Sequence, residues 1–145
     1  DISNIQGKEA TGSMVTFIKG QPDKNSYRKF RIRMEARPND VAMIKETLSR
    51  RLKHDEWPFP NLILIDGGKS QLNAAKSIIN DCQLSIPFLA LAKRENKLFF
   101  GNRKKPTLLK SLPKEVSNLI LHLRDEAHRF ARAYHHKLRK KEMFK

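Results

Sequence analysis

With one cysteine, Cys82, the chain cannot form an internal disulfide, so its fold has to rest on a packed core. Sparse cysteine also fits a reducing compartment. Five scattered histidines show none of the paired spacings that a structural or catalytic zinc site requires. Long apolar runs are missing too: none approaches the ~18 residues a spanning helix needs, and the first residues hold no signal-peptide core. A soluble, cytoplasmic protein without membrane contacts is expected. Acidic residues are few, with fifteen Asp plus Glu against thirty Lys plus Arg and a formal charge of +15. Charge this one-sided points to a polyanionic partner, with nucleic acid the default. There is no internal repeat or low-complexity segment. A chain of 145 residues fits a single domain spanning 1–145. At that size roughly 68–70% of the unfolded surface can be buried without covalent help.

The most telling stretch is Asn61-Leu62-Ile63-Leu64-Ile65-Asp66-Gly67-Gly68-Lys69-Ser70-Gln71-Leu72. Four consecutive aliphatics without alternation predict a strand covered on both faces, the habit of a parallel strand in an α/β sheet. Asp66 then falls at the carboxyl end of that strand, where open α/β sheets place their chemistry. The glycines let the backbone turn tightly and leave the carboxylate uncrowded. In so basic a chain, Asp66 is a candidate metal ligand.

Around that strand the pattern is of an α/β fold. Asp1-Ile2-Ser3 reads as the tail of a strand whose upstream half precedes this sequence, as in a piece of a longer protein. Met14 to Ile18 and Tyr27 to Met34 predict two antiparallel strands about the turn-forming 20–25, the second alternating Phe30, Ile32, Met34 against Arg31, Arg33, Glu35. A helix opens after Pro38, capped by Asn39 or Asp40. Its stripe is Val41, Ile44, Leu48 and Leu52, and Lys45, Arg50, Arg51 and Lys53 are set on its wet face. A second helix is expected from about Gln71 to Asn80, a buried strand from Ile86 to Ala92, a short strand or turn at Leu98–Phe100 and a basic loop at 102–106. The last element is the longest. Val116, Leu119, Ile120, Leu123, Ala127, Phe130, Ala131, Tyr134 and Leu138 predict an amphipathic helix of about seven turns. Lys137, Arg139, Lys140 and Lys141 suit the negative end of its macrodipole.

Gly68-Lys69-Ser70 is no phosphate-binding P-loop, because Ile63 stands where that motif needs its first glycine. Cys82, at a helix end among Asn80, Asp81 and Gln83, is a weak candidate nucleophile. Arg124, His128, Arg132 and His135, spaced 4, 4 and 3, line one ridge of the long helix, with His128 beside the apolar stripe. Taken singly, each of these residues also suits a solvated helix face or a plain turn.

Several motifs occur together and in order: Asp1-Ile2-Ser3-Asn4-Ile5-Gln6-Gly7, Tyr27-Arg28-Lys29-Phe30, Leu48-Ser49-Arg50-Arg51, Leu62 to Asn73, Leu91-Ala92-Lys93 and Arg124-Asp125-Glu126-Ala127-His128-Arg129-Phe130-Ala131. On these the chain resembles the C-terminal endonuclease domain of UvrC, the incising subunit of bacterial nucleotide excision repair. The likeness covers almost the whole sequence. It implies a ribonuclease H-like mixed sheet, an antiparallel hairpin plus parallel strands, flanked by helices and closed by the long amphipathic one. It also implies metal-dependent DNA incision 5′ to a lesion, with a catalytic set carried over to Asp1, Asp66 and His128. The implied partners are damaged duplex DNA and, through regions outside this sequence, UvrB with UvrA upstream. Asn4 stands where the family usually has a histidine, Ser70 where glycine is common, and Leu121-His122 where Gln-Arg is more frequent.

Phosphodiester cleavage needs an activated water and neutralised phosphate charge, and Asp1 and Asp66 are hard oxygen ligands suited to Mg²⁺ or Mn²⁺. His128 suits a third ligand or the positioning of water. Two carboxylates favour one firmly held ion. Lys69, Arg50, Arg51, Lys93, Arg124 and Arg129 are candidate contacts to the DNA backbone. Two alternatives stay open: a catalytically silent nucleic-acid-binding module and a basic ribosome-associated protein.

Overall fold

The computed structural model describes residues 2–5, 9–32 and 40–144. They fall into two compact units, one drawn from Asp1–Pro38 and Asn118–Lys145, the other Asn39–Ser117.

In the first unit, β1 (Ile2–Ile5), β2 (Glu9–Met14) and β5 (Arg28–Arg31) form an antiparallel sheet in the order β1-β2-β5. Gly12 sits between Ile2 and Phe30 in register. Phe30 is buried and its neighbours Lys29 and Arg31 are exposed, the alternation expected of a half-buried strand. The expected strand at Met14–Ile18 divides in two. Met14 closes β2, whereas β3 (Phe17–Ile18) pairs with β4 (Gln21–Pro22) as a separate ribbon. The cause is local, since Lys19 and Gly20 both take positive φ (52° and 79°), the two-residue hairpin geometry that turns the chain back at once. Arg33 and Met34, and the cap position Asn39, lie outside the described residues.

The second unit is built on a four-stranded sheet, β6 (Ile63–Asp66), β7 (Phe88–Ala92), β8 (Lys97–Phe100) and β9 (Thr107–Leu108), hydrogen-bonded in that order. β6 and β7 are parallel and the remaining pairs antiparallel. The parallel pair requires a crossover, which α2 (Lys69–Asp81) supplies while packing on α1 (Asp40–Leu52). Ile65, Leu72, Ala75 and Ala90 make the core, with Ile44, Leu48, Ile63, Phe88 and Phe99 packed against it. Gly101 passes so close to the Phe88 ring that a Cβ there would lie 2.5 Å from it. β6 is shorter than its apolar run, since Leu62 precedes it and is 52% exposed.

Besides the β3–β4 ribbon, the described strands form a three-stranded antiparallel sheet and a four-stranded mixed sheet that carries the expected parallel pair. One expectation needs correction here. Arg51, assigned to the wet face of α1, is buried at 9% exposure. It lies seven residues after Ile44, two full turns, which places it on the apolar stripe. There Nη2 donates to the Pro58 carbonyl at 2.6 Å, and the guanidinium sits 5.3 Å from the Trp57 ring centroid.

The long helix α3 (Lys114–Met143) runs for 30 residues. Ala131 is buried, and Ile120, Leu123, Ala127 and Phe130 are half-buried, but Val116 and Leu119 are exposed. Periodicity marks an apolar face whether or not another element covers it, so the buried stripe starts a turn later than expected. No helix among the described residues is long and apolar enough to cross a membrane.

Candidate active site

Asp66 is the last residue of β6, paired in register with Leu91 of the parallel neighbour β7. The chain then leaves the sheet through Gly67, whose N–H donates to the Leu91 carbonyl at 3.0 Å. Gly67 has φ of +151°, and a Cβ on it would meet the Gln71 side chain at 2.6 Å. Only glycine suits both the backbone and the space. Gly68 caps α2, and its N–H is satisfied by Gln71 Oε1 at 2.9 Å. This bond holds the turn against the first helical turn, as the reaching-back Gln of a capping box does. Asp66 is exposed at the open end of the parallel pair.

Two lysines share that edge. Lys69 is the first residue of α2, exposed, with no acidic residue in the first turn beside it. A cation is disfavoured at the positive end of a helix dipole, so its placement fits an anionic partner. Lys93 directly follows β7, two residues beyond Leu91, and is exposed.

His128 lies in the other unit, half-buried on α3. Its helical turn is anchored by Glu126. The Tyr27 hydroxyl donates to Glu126 Oε1 at 3.0 Å, and Arg129 donates through Nε (2.9 Å) and Nη2 (2.6 Å). The Arg129 bonds, aided by the one from Tyr27, hold the Glu126 carboxyl down at about 2. Burial and the carboxylate push the Tyr27 phenol up to about 12. The Tyr27 ring also meets Phe130 edge-on, centroids 5.0 Å apart, with Lys29 Nζ 5.1 Å from the Phe130 centroid. Thus the residues flanking His128 are fixed to the segment entering β5.

The remaining candidates fall into different settings. Arg50 pairs with Glu46 at 3.6 Å on α1, Arg124 with Asp125 at 3.1 Å on α3, and Arg129 with Glu126. Arg124 Nε is buried without a partner among the described residues. Asp1 lies outside them. Among the described residues no group of three or more His, Cys, Asp or Glu stands together to hold a metal. Absent from the candidates are Lys76, Arg103 and Lys104, which line a groove with Lys69; the basic loop at 102–106 was the only signal for two of them.

The family model for the UvrC RNase H endonuclease domain matches residues 1–131. The chain belongs to that family. It is 46% identical over 99% of its length to the UvrABC system protein C of Dictyoglomus thermophilum, covering 24% of that protein. With its counterpart in Methanothermobacter thermautotrophicus identity is 39% over 98% of the chain and 24% of the relative, and with that of Methanosarcina acetivorans 40% over 100% and 28%. The chain therefore spans about a quarter of the length of the curated relatives it matches. Membership in this UvrC family makes the mixed α/β fold ribonuclease H-like and gives the Asp66 turn its setting as part of an endonuclease-type domain.

Proposed function

We propose that this chain is one ribonuclease H-like domain over 1–145 that cleaves DNA in a metal-dependent reaction, making the incision 5′ to a lesion in bacterial nucleotide excision repair. In this reading it works in the cytoplasm as part of a UvrC protein, with UvrB as partner and UvrA upstream. The observation that carries it is Asp66, an exposed carboxylate at the open end of a parallel strand, on a turn of two glycines, with Lys69 opening the next helix and Lys93 following the neighbouring strand. An exposed hard oxygen donor suits Mg²⁺ or Mn²⁺, and Asp1, Asp66 and His128 would hold the ion. When bound, such an ion supplies an activated water and offsets charge on the scissile phosphate.

The chain's own residues do the rest. Lys69 and Lys93 bind phosphate oxygens at the strand ends and fix the register of the DNA. His128 orients the attacking water or takes its proton, and the Tyr27–Glu126–Arg129 network holds its helical turn. Arg50, Arg124 and Arg129 reach the backbone more weakly, since each already faces a carboxylate. Arg51 is left out, because its guanidinium is engaged with Pro58 and Trp57.

The test is Asp66→Asn in the full-length protein, supplied with UvrA, UvrB and a lesion-bearing duplex. Incision should vanish while DNA affinity stays near wild type. A variant that cuts at the wild-type rate sinks the assignment, and an unsubstituted protein that binds this duplex without cutting it would favour the silent nucleic-acid-binding module.

A further inference from the structure

The second unit carries a groove of ≈ 580 Å³ between the outward face of α2 and the loop after β8. Lys69, Asn73 and Lys76 form one lip, spaced 4 and 3 along a single ridge of the helix. Asn102, Arg103 and Lys104 form the other, on the loop between β8 and β9. Its lining includes four cations and no carboxylate.

The state of those cations sets them apart. Arg50, Arg124 and Arg129 each face an Asp or Glu within 4.0 Å, but no such pair engages Lys69, Lys76, Arg103 or Lys104 among the described residues. Arg103 instead rests over the Phe100 ring, 4.9 Å from its centroid. A guanidinium stacked this way keeps its in-plane N–H donors available to a phosphate. Four unneutralised charges on two facing lips repel one another, and successive phosphates would reverse that sign. Asn73 and Asn102 add amide donors of the kind that commonly meet phosphate oxygens. Lys69, on the first lip, opens α2 three residues after Asp66, so that end of the lip follows the candidate catalytic carboxylate directly in the chain.

We infer that this groove is a track for the DNA backbone, which leads a strand along α2 to Asp66. The inference rests on the nuclease reading above for its ligand, and names the surface that reading leaves open. It is tested by Lys76→Gln/Arg103→Gln/Lys104→Gln in the intact chain, with a fluorescent DNA duplex titrated over a range of salt. Each lost phosphate contact should flatten the log–log salt slope by about 0.9. The triple variant should therefore lose close to three such steps. A control of equal charge loss, Lys53→Gln/Lys110→Gln/Lys114→Gln, should lose much less. An unchanged slope in the groove variant, or an equal loss in the control, overturns the inference. Should the triple variant misfold by circular dichroism, Lys104→Gln alone, on an exposed loop, gives the same reading at about one step. The two proposals fail separately: Asp66→Asn reports on cutting with the salt slope retained, the groove variant on the slope.

Discussion

Gly67 and Gly68 are adjacent in sequence and differ in what they tolerate. Gly67 combines φ of +151° with a Gln71 side chain 2.6 Å from where a Cβ would stand, while a Cβ on Gly68 would meet nothing within 4 Å. Gly67→Ala should cost about 1–3 kcal/mol for the strained backbone alone, and displace Gln71 from the turn. Gly68→Ala should cost under about 1 kcal/mol, the loss expected of a poorer helix cap. Urea denaturation of both variants checks this, and equal losses would contradict it. Arg51 is the second case. Arg51→Gln removes the bond to the Pro58 carbonyl inside a buried setting, for which about 1–3 kcal/mol is expected, with DNA affinity unchanged. If the variant instead keeps wild-type stability and binds DNA poorly, Arg51 is a phosphate contact after all.

At the scale of elements, α3 carries both the candidate histidine and, two residues before it, the Glu126 that bonds Tyr27 and Arg129. His128→Ala should lower incision by at least the roughly 10²-fold typical of a lost acid–base group. His122, on the same helix, has its ring 4.9 Å from that of Phe17 and should cost stability rather than incision when replaced. A crippled His122→Ala beside an active His128→Ala would show that the wrong histidine was chosen. The bond from Tyr27 to Glu126 ties this helix to the segment before β5, and the raised phenol gives it a pH signature. Because the folded state favours the neutral phenol, its stabilisation is fully present below pH 10 and lost as pH rises toward 12. Wild type should exceed Tyr27→Phe by about 1 kcal/mol at neutral pH. That gap should close between pH 10 and 12, and a gap constant over this range would show that the bond is not made.

For the whole molecule, the charge of +15 was legible from composition, and with it the expectation of a polyanionic partner. The strand ending in Asp66, the helix after it, the buried β7 and the long amphipathic α3 were also legible, because each is written in a local period or in a glycine turn. Their exact pairing was not. Residues Phe17 and Ile18 look like an extension of β2, and only the pairing of Ile18 with Gln21 makes them a separate ribbon. Likewise the apolar spacing of α3 includes Val116 and Leu119, but coverage depends on what lies opposite, and both are exposed.

The amino-acid sequence by itself determined which residues are candidates for chemistry here: one carboxylate at a strand end, histidines on a helix, and an excess of cations. Only the tertiary structure decided which cations are available. Arg51 shows this most directly, since its two-turn spacing from Ile44 buries it and the Pro58 carbonyl occupies it. Arg129 and Arg50 are drawn into pairs by carboxylates one turn away, whereas Lys76 and Arg103, 27 positions apart in the sequence, become opposite lips of one groove. Periodicity is a property of neighbours along the chain, and it can assign a side chain to a face. Whether that face meets water, a carboxylate or another cation is set by segments remote in sequence, whose positions are fixed only when the core around Ile65, Leu72 and Ala90 closes.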